Sequence, residues 1–128
     1  MIVGIGTDLV SIARIKTMLD RFGERLVNRI LSIDEQVLYR ECLFPETFMA
    51  KRFAAKEAVA KALGTGIGAI AFNEISVTNL PSGQPMVTLL GKAEKFAKNK
   101  NIFISLSDEA EQALAFVVIS SSSVIASS

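Results

Sequence analysis

Two carboxylates far apart in the chain have the types and settings that chemistry needs: Asp8 in Gly4-Ile5-Gly6-Thr7-Asp8, and Glu57 in Lys51-Arg52-Phe53-Ala54-Ala55-Lys56-Glu57-Ala58-Val59-Ala60-Lys61. Asp8 ends an apolar run, and Glu57 stands four residues before Lys61 in a helical pattern. Two oxygen ligands with an ammonium nearby can hold a hard cation and an anionic phosphate. Taken singly each has a plainer use. Glu57 and Lys61 would make a surface pair worth about 0.3 to 0.5 kcal/mol, and Asp8 would be a turn or cap residue ahead of a helix.

The helix pattern sharpens the choice. At 100° per residue Phe53, Glu57, Ala60, Lys61 and Gly64 share one stripe, with Ala55, Ala58 and Ala62 opposite. The alanine side should pack closely on another element, which points Glu57 and Lys61 away from that contact. A purely solvated face rarely carries Phe53 and a glycine, so a cleft is expected there. Gly64-x-Gly66-x-Gly68 is a weak phosphate motif: it lacks P-loop spacing and follows a helix where phosphate loops precede one. The chain has no histidine, so the Ser/His/Asp and Cys/His nucleophile systems and the usual zinc sets are absent. Acid-base work falls to Asp, Glu, Lys or Tyr39.

The elements that must position these groups follow from periodicity and punctuation. Residues 2 to 7 read as a short strand whose glycines let another backbone come close. Ser11 caps a helix with Ile12, Ile15, Leu19 and Phe22 on one side and Gly23 as terminator. Glu24 to Leu31 forms a second short helix. Ser32 and Glu35 make a capping box for a third, running to about Cys42. Pro45 precedes the long helix from about Glu46 to Leu63, which Gly64-Thr65-Gly66 ends. Ile75 to Leu80 and Pro85 to Leu90 read as a hairpin around Pro81-Ser82-Gly83-Gln84. A lysine-rich helix is expected from Gly91 to about Lys100, then strands at 102 to 107 and 114 to 120. This order predicts one α+β domain over residues 1–128, a small, mainly antiparallel sheet with helices packed on one side, ending in a loosely held serine-rich tail at 121–128.

Composition narrows the function classes. Fourteen basic and thirteen acidic residues nearly cancel, so there is no overall basic field for nucleic acid. No stretch approaches the roughly 20 unbroken apolar residues of a membrane span, and the N-terminus lacks a signal-peptide pattern. The single Cys42 excludes an internal disulfide and fits a reducing compartment. A cytoplasmic protein is expected. Half the residues are hydrophobic and mean hydropathy is +0.40, high for a small monomer, which predicts a homo-oligomer. On the first helix Arg14, Met18 and Arg21 share a stripe, joined by Arg25 if the helix continued past Gly23. This is either a solvated basic edge or a docking surface for an acidic helix.

The segments Ile5-Gly6-Thr7-Asp8-Leu9-Val10-Ser11-Ile12-Ala13-Arg14-Ile15 and Lys51 to Gly66 closely resemble the two signatures of the holo-[acyl-carrier-protein] synthase family. Arg29-Ile-Leu-Ser32 before Glu35, Gly83-Gln84-Pro85, and Ser105-Leu-Ser107 followed by Ala113-Leu-Ala115 stand in the family's order. The resemblance implies a 4'-phosphopantetheinyl transferase that moves the arm of coenzyme A onto a serine of apo-acyl carrier protein, for fatty acid biosynthesis, releasing adenosine 3',5'-bisphosphate. It implies a homotrimer with active sites between subunits, Asp8 and Glu57 as Mg²⁺ ligands, and Lys61 beside the diphosphate. Arg52, Lys56, Gly64, Gly83, Pro85 and Ser105 match nucleotide-pocket positions, and Arg14, Met18, Arg21 and Arg25 a carrier-docking surface. Glu57 is the expected base, acting directly or through a water on the metal. Many relatives carry His where Asp108 stands, and an aspartate cannot be a cation or neutral donor toward phosphate, so position 108 is left out of the site. A non-catalytic module that binds acidic proteins and a nucleotide phosphohydrolase are the alternatives.

Overall fold

The computed structural model describes residues 1–121. Strand β1 (Ile2–Ser11) leads through the Ser11 cap, whose hydroxyl accepts from Arg14 N–H, into helix α1 (Ile12–Phe22). Gly23, at φ 52°, both ends α1 and starts α2 (Glu24–Ile30). Helix α3 (Ile33–Glu41) opens on the full Ser32/Glu35 capping box. Helix α4 (Pro45–Leu63) has Pro45 in its first turn and a left-handed Gly64 at its end. Strands β2 (Ile75–Asn79) and β3 (Pro85–Leu89) form the hairpin, and β4 (Lys100–Asp108) and β5 (Gln112–Ser121) complete the chain.

The α+β architecture agrees with the sequence pattern, with corrections at the edges. β1 runs four residues further than expected, so Asp8 lies inside a strand and its reading as a turn residue does not hold. Gly91–Ala97 is a 3-10 helix rather than an α-helix, and β4 begins at Lys100 after Asn99 turns at φ 58°. Ser121 belongs to β5, donating N–H to Met1 O at 2.8 Å. The rest of the expected tail lies outside the described residues.

Strand order β1-β5-β4, all antiparallel, makes the larger sheet, and β2-β3 pair separately. Register sorts the larger sheet's faces. Gly6↔Val117↔Ile104 and Asp8↔Ala115↔Leu106 are rows on the side covered by α4; Ile5↔Val118↔Phe103 and Leu9↔Leu114↔Ser107 are rows on the open side. Ala113, Ala115, Val117 and Ile119 are buried against the alanine-rich side of α4, where Ala54, Ala55, Ala58 and Val59 are also buried.

Two glycines set the helix-to-strand distance. A Cβ on Gly6 would run into the Ala58 carbonyl oxygen, and one on Gly4 into that of Ala62, both well inside van der Waals contact. The obstacle is backbone in both cases and cannot rotate away. Gly6→Ala should therefore lower unfolding free energy by about 3 kcal/mol, at the upper end of overpacking effects. A urea titration showing less than about 1 kcal/mol of loss would contradict this account of the packing.

Candidate active site

The close approach of β1 and α4 brings the two carboxylates together. Lys61 Nζ donates to Asp8 Oδ1 at 3.1 Å and to the Thr7 carbonyl at 3.0 Å, bridging the helix to the outer edge of the sheet. Glu57 sits one turn back on α4. Burial pushes its carboxyl above the ordinary glutamate value, the Asp8 charge adds to that rise, and Lys61 opposes it. A carboxylate that feels a second carboxylate and a lysine, half sheltered from solvent, is a candidate for acid-base chemistry.

The sign of each influence is testable on the metal-free protein. Asp8→Asn removes a repelling anion and should lower the Glu57 pKa; Lys61→Met removes an attracting cation and should raise it further. Carbon-detected NMR titration of the Glu57 carboxyl reads both, and shifts of the opposite sign would disprove the arrangement.

Two carboxylates are a sparse set for a metal, and the described residues contain no cluster of three or more His, Cys, Asp or Glu side chains. Mg²⁺ suits such a set because it keeps waters and takes phosphate oxygens for its remaining positions. Asp8 and Glu57 supply hard oxygens from two rigid elements, and they fit that ion.

A second feature lies at the other edge of the sheet, by β4. A cavity of about 750 Å³ is walled by the start of α4 (Thr47, Phe48, Lys51, Arg52), the hairpin (Asn79, Gly83, Gln84, Pro85), β4 (Ile104, Ser105, Leu106) and the Cys42–Phe44 link. Four of the expected nucleotide positions meet there: Arg52, Gly83, Pro85 and Ser105. Gly64 does not; it caps α4 beyond Lys61, with Gly64 N–H donating to the Lys61 carbonyl at 3.0 Å.

Lys56 is also elsewhere. It is wholly buried, and its ammonium donates to Glu35 Oε1 at 2.6 Å, to the Phe72 carbonyl at 3.0 Å and to the Ile75 carbonyl. Glu35 in turn accepts from Ser32 N–H and Val77 N–H, each at 2.8 Å. These groups, with Arg52 Nε donating to the Val77 carbonyl at 3.1 Å, satisfy the free edge of β2 in place of a third strand. Burial pushes the Lys56 ammonium down to about 8 while Glu35 beside it holds it up. Lys56 seats the hairpin that carries Gly83 and Pro85, and its ammonium faces the interior. Only the Ser32/Glu35 capping box hinted at this cluster in the sequence.

The basic surface is divided by Gly23, so Arg25 leaves the α1 stripe. Both guanidiniums nevertheless converge on one ring, Arg21 at 5.2 Å and Arg25 at 5.6 Å from the Phe22 centroid. Met18, Phe22 and Arg25 then line a groove of about 540 Å³ with Phe53, which stacks on Phe72 at 5.0 Å. Arg14 is exposed on α1, outside that groove's lining. Phe53 stands one helical turn before Glu57, so the groove adjoins the carboxylate site.

A helix carrying one carboxylate, clamped by glycines onto a strand carrying the other, sets two hard-oxygen groups and a lysine at one edge of an α+β scaffold. Residues 4–117 match the model of the 4'-phosphopantetheinyl transferase superfamily, and the chain belongs to that family of transferases. Among its relatives, the holo-[acyl-carrier-protein] synthase of Shewanella frigidimarina is 49% identical over 125 residues, covering 94% of this chain and 98% of that protein. The crystal structure of holo-[acyl-carrier-protein] synthase from Neisseria meningitidis is similar at a TM-score of 0.88 and 40% identity, over 94% of this chain and 99% of that one. The Helicobacter pylori synthase in complex with coenzyme A matches at a TM-score of 0.80 and 39% identity, over 91% and 99% of the two chains.

Proposed function

We propose that this chain transfers the 4'-phosphopantetheine group of coenzyme A to a serine of apo-acyl carrier protein, with Mg²⁺ held by Asp8 and Glu57, and releases adenosine 3',5'-bisphosphate. The observation that carries the reading is the meeting of Asp8, Glu57 and Lys61 at the β1 edge, beside a groove edged with arginine. The coenzyme A complexes of similar proteins support the substrate. Asp8 and Glu57 would hold Mg²⁺, which would supply charge neutralisation of the coenzyme's diphosphate so that an oxygen nucleophile can approach. Glu57 takes the proton from the carrier's serine hydroxyl as that oxygen bonds to the phosphorus bearing pantetheine. The bond from this phosphorus to the bridging oxygen breaks, and Lys61 stabilises the charge left on the departing phosphate. Arg14, Met18, Arg21 and Arg25 receive the acidic carrier, its apolar side chains entering the groove beside Phe53.

The assembly belongs to the same reading. Among the described residues the cavity wall contains Lys51 and Arg52 but none of Asp8, Glu57 and Lys61. β1 and β4 are the two edges of the sheet, with β5 between them. In a homotrimer, one copy's β1 edge would be completed by a neighbour's cavity, in keeping with the apolar open face of the sheet. No helix among the described residues is long and apolar enough to cross a membrane, and a cytoplasmic role in fatty acid biosynthesis accords with the carrier substrate.

Incubation with apo-acyl carrier protein, coenzyme A and Mg²⁺, followed by intact mass measurement, tests the whole. The expected result is a phosphopantetheine adduct on the carrier that chelation abolishes. An unmodified carrier overturns the reading, and nucleotide cleavage without a carrier would indicate a phosphohydrolase instead.

A further inference from the structure

Lys56 is wholly buried, and it stands in the wall of neither the cavity by β4 nor the groove beside Phe53. An ammonium has three donors, and all three are taken: by Glu35 Oε1 at 2.6 Å, by the Phe72 carbonyl at 3.0 Å and by the Ile75 carbonyl. None remains for a ligand. Whatever Lys56 does for function must pass through the backbone it holds.

That backbone serves two surfaces. Phe72 opens the short 3-10 turn Phe72–Glu74. Its carbonyl accepts from Lys56, while its ring lines the groove, stacked on Phe53 at 5.0 Å with 26° between the planes. Phe53 and Lys56 are three residues apart on α4, and side chains at that spacing are neighbours on a helix. The same helix therefore holds Phe72 twice, by ring and by carbonyl. Ile75 then begins β2, and the register Ile75↔Leu89, Val77↔Val87, Asn79↔Pro85 passes its position on to Asn79 and Pro85 in the cavity wall. Glu35 closes the arrangement from α3, with one oxygen on Lys56 and the other accepting from Val77 N–H at 2.8 Å. Arg52 differs from Lys56 in this respect. It grips only Val77 and lines the cavity itself, so its influence falls on one surface.

We propose that Lys56, paired with Glu35, is a positioning residue that sets the aromatic end of the carrier groove and the hairpin side of the coenzyme cavity together, although it touches neither substrate. This rests on the transferase reading. Without the ammonium, the Phe72 and Ile75 carbonyls would lose a partner in the interior, where an unsatisfied acceptor is costly. The segment between them would regain partners by lifting off α4 toward water. That movement parts Phe72 from Phe53 on one side and draws β2, with Pro85 across from it, away on the other. Two binding surfaces would loosen from the loss of one interior contact, while Asp8, Glu57 and Lys61 keep their places at the β1 edge.

Lys56→Met alone would strand the Glu35 carboxylate in the interior, so the variant to measure is Glu35→Gln/Lys56→Met, which removes both charges. In steady-state transfer with Mg²⁺ its KM values for coenzyme A and for apo-acyl carrier protein should each rise about fivefold or more, the scale of one lost buried hydrogen bond. Its kcat should stay within about twofold of wild type, because binding is lost without loss of the reacting groups. A rise in only one KM, or a fall in kcat with both KM values unchanged, would overturn the proposal while leaving the transferase reading intact. A second measurement uses the wild-type protein and so needs no variant to fold: nitrogen-detected NMR of the Lys56 ammonium. Coenzyme A alone and apo-carrier alone should each shift its Nζ resonance, and a resonance that either ligand leaves unmoved would overturn the proposal. A wild type that transfers nothing would overturn the transferase reading and this proposal with it.

Discussion

Glu57→Gln is expected to lower kcat for transfer to the carrier by about 100-fold or more, even at saturating Mg²⁺, the lower bound of what a positioned general base contributes. Glutamine has nearly the same shape, and the half-buried position should tolerate it within about 0.5 kcal/mol of stability. What changes is charge and basicity. An amide cannot take the serine's proton, and it is a poorer ligand for a hard cation than a carboxylate. The Asp8–Lys61 contact at 3.1 Å does not involve Glu57 and should survive, so the diphosphate would keep part of the binding site proposed for it. The defect should therefore appear mainly in kcat, with the carrier's KM nearly unchanged because the docking surface proposed above is α1, α2 and Phe53. Turnover near wild type at saturating metal would remove Glu57 from the base role.

Phe103→Glu should convert the protein to monomers and abolish most activity at the same time. Phe103 is 55% exposed on the open side of the sheet, in one row with Ile5 at 59%, and Val3, Leu9, Leu114 and Phe116 extend the same apolar face. Completing the burial of six such half-exposed side chains is worth roughly 1 kcal/mol each per copy, a substantial drive for association. A carboxylate within that contact must be desolvated without a partner, at a penalty of several kcal/mol. The isolated chain leaves position 103 in water, so folding itself should be little affected. Sedimentation and turnover should fall together, because the cavity and the carboxylates lie at opposite sheet edges and would need two copies to meet. A monomeric variant with full turnover would show that one chain holds the complete site.

Much of this protein was legible from residue order. The Ser32/Glu35 capping box, Pro45 at the start of α4 and Gly64 at its end are local hydrogen-bonding and φ preferences, and neighbours in sequence state them directly. The alanine side of α4 and the glycines of β1 likewise announced close packing. Lys56 could not be placed in this way. Whether a lysine three turns into a basic helix faces a ligand or the interior depends on what lies across from it, and the carbonyls of Phe72 and Ile75 that accept from Lys56 are brought there by tertiary packing. The Lys51–Asp108 pair joins α4 to the far end of β4, and spacing along the chain carries no sign of it.

By itself, the sequence determined the elements, their caps and the two carboxylates able to handle phosphate, because each depends on short-range geometry and residue chemistry. Only the tertiary structure decided which cations stand at the surface, that Asp8 and Glu57 share one edge of the sheet, and that the cation-lined cavity belongs to the other. Those outcomes rest on long-range packing: an α4 pressed onto β1 through Gly4 and Gly6, and a hairpin seated by a buried Glu35–Lys56 pair. Charge can be counted along a chain, but the solvent or protein that surrounds it is set by what folds against it.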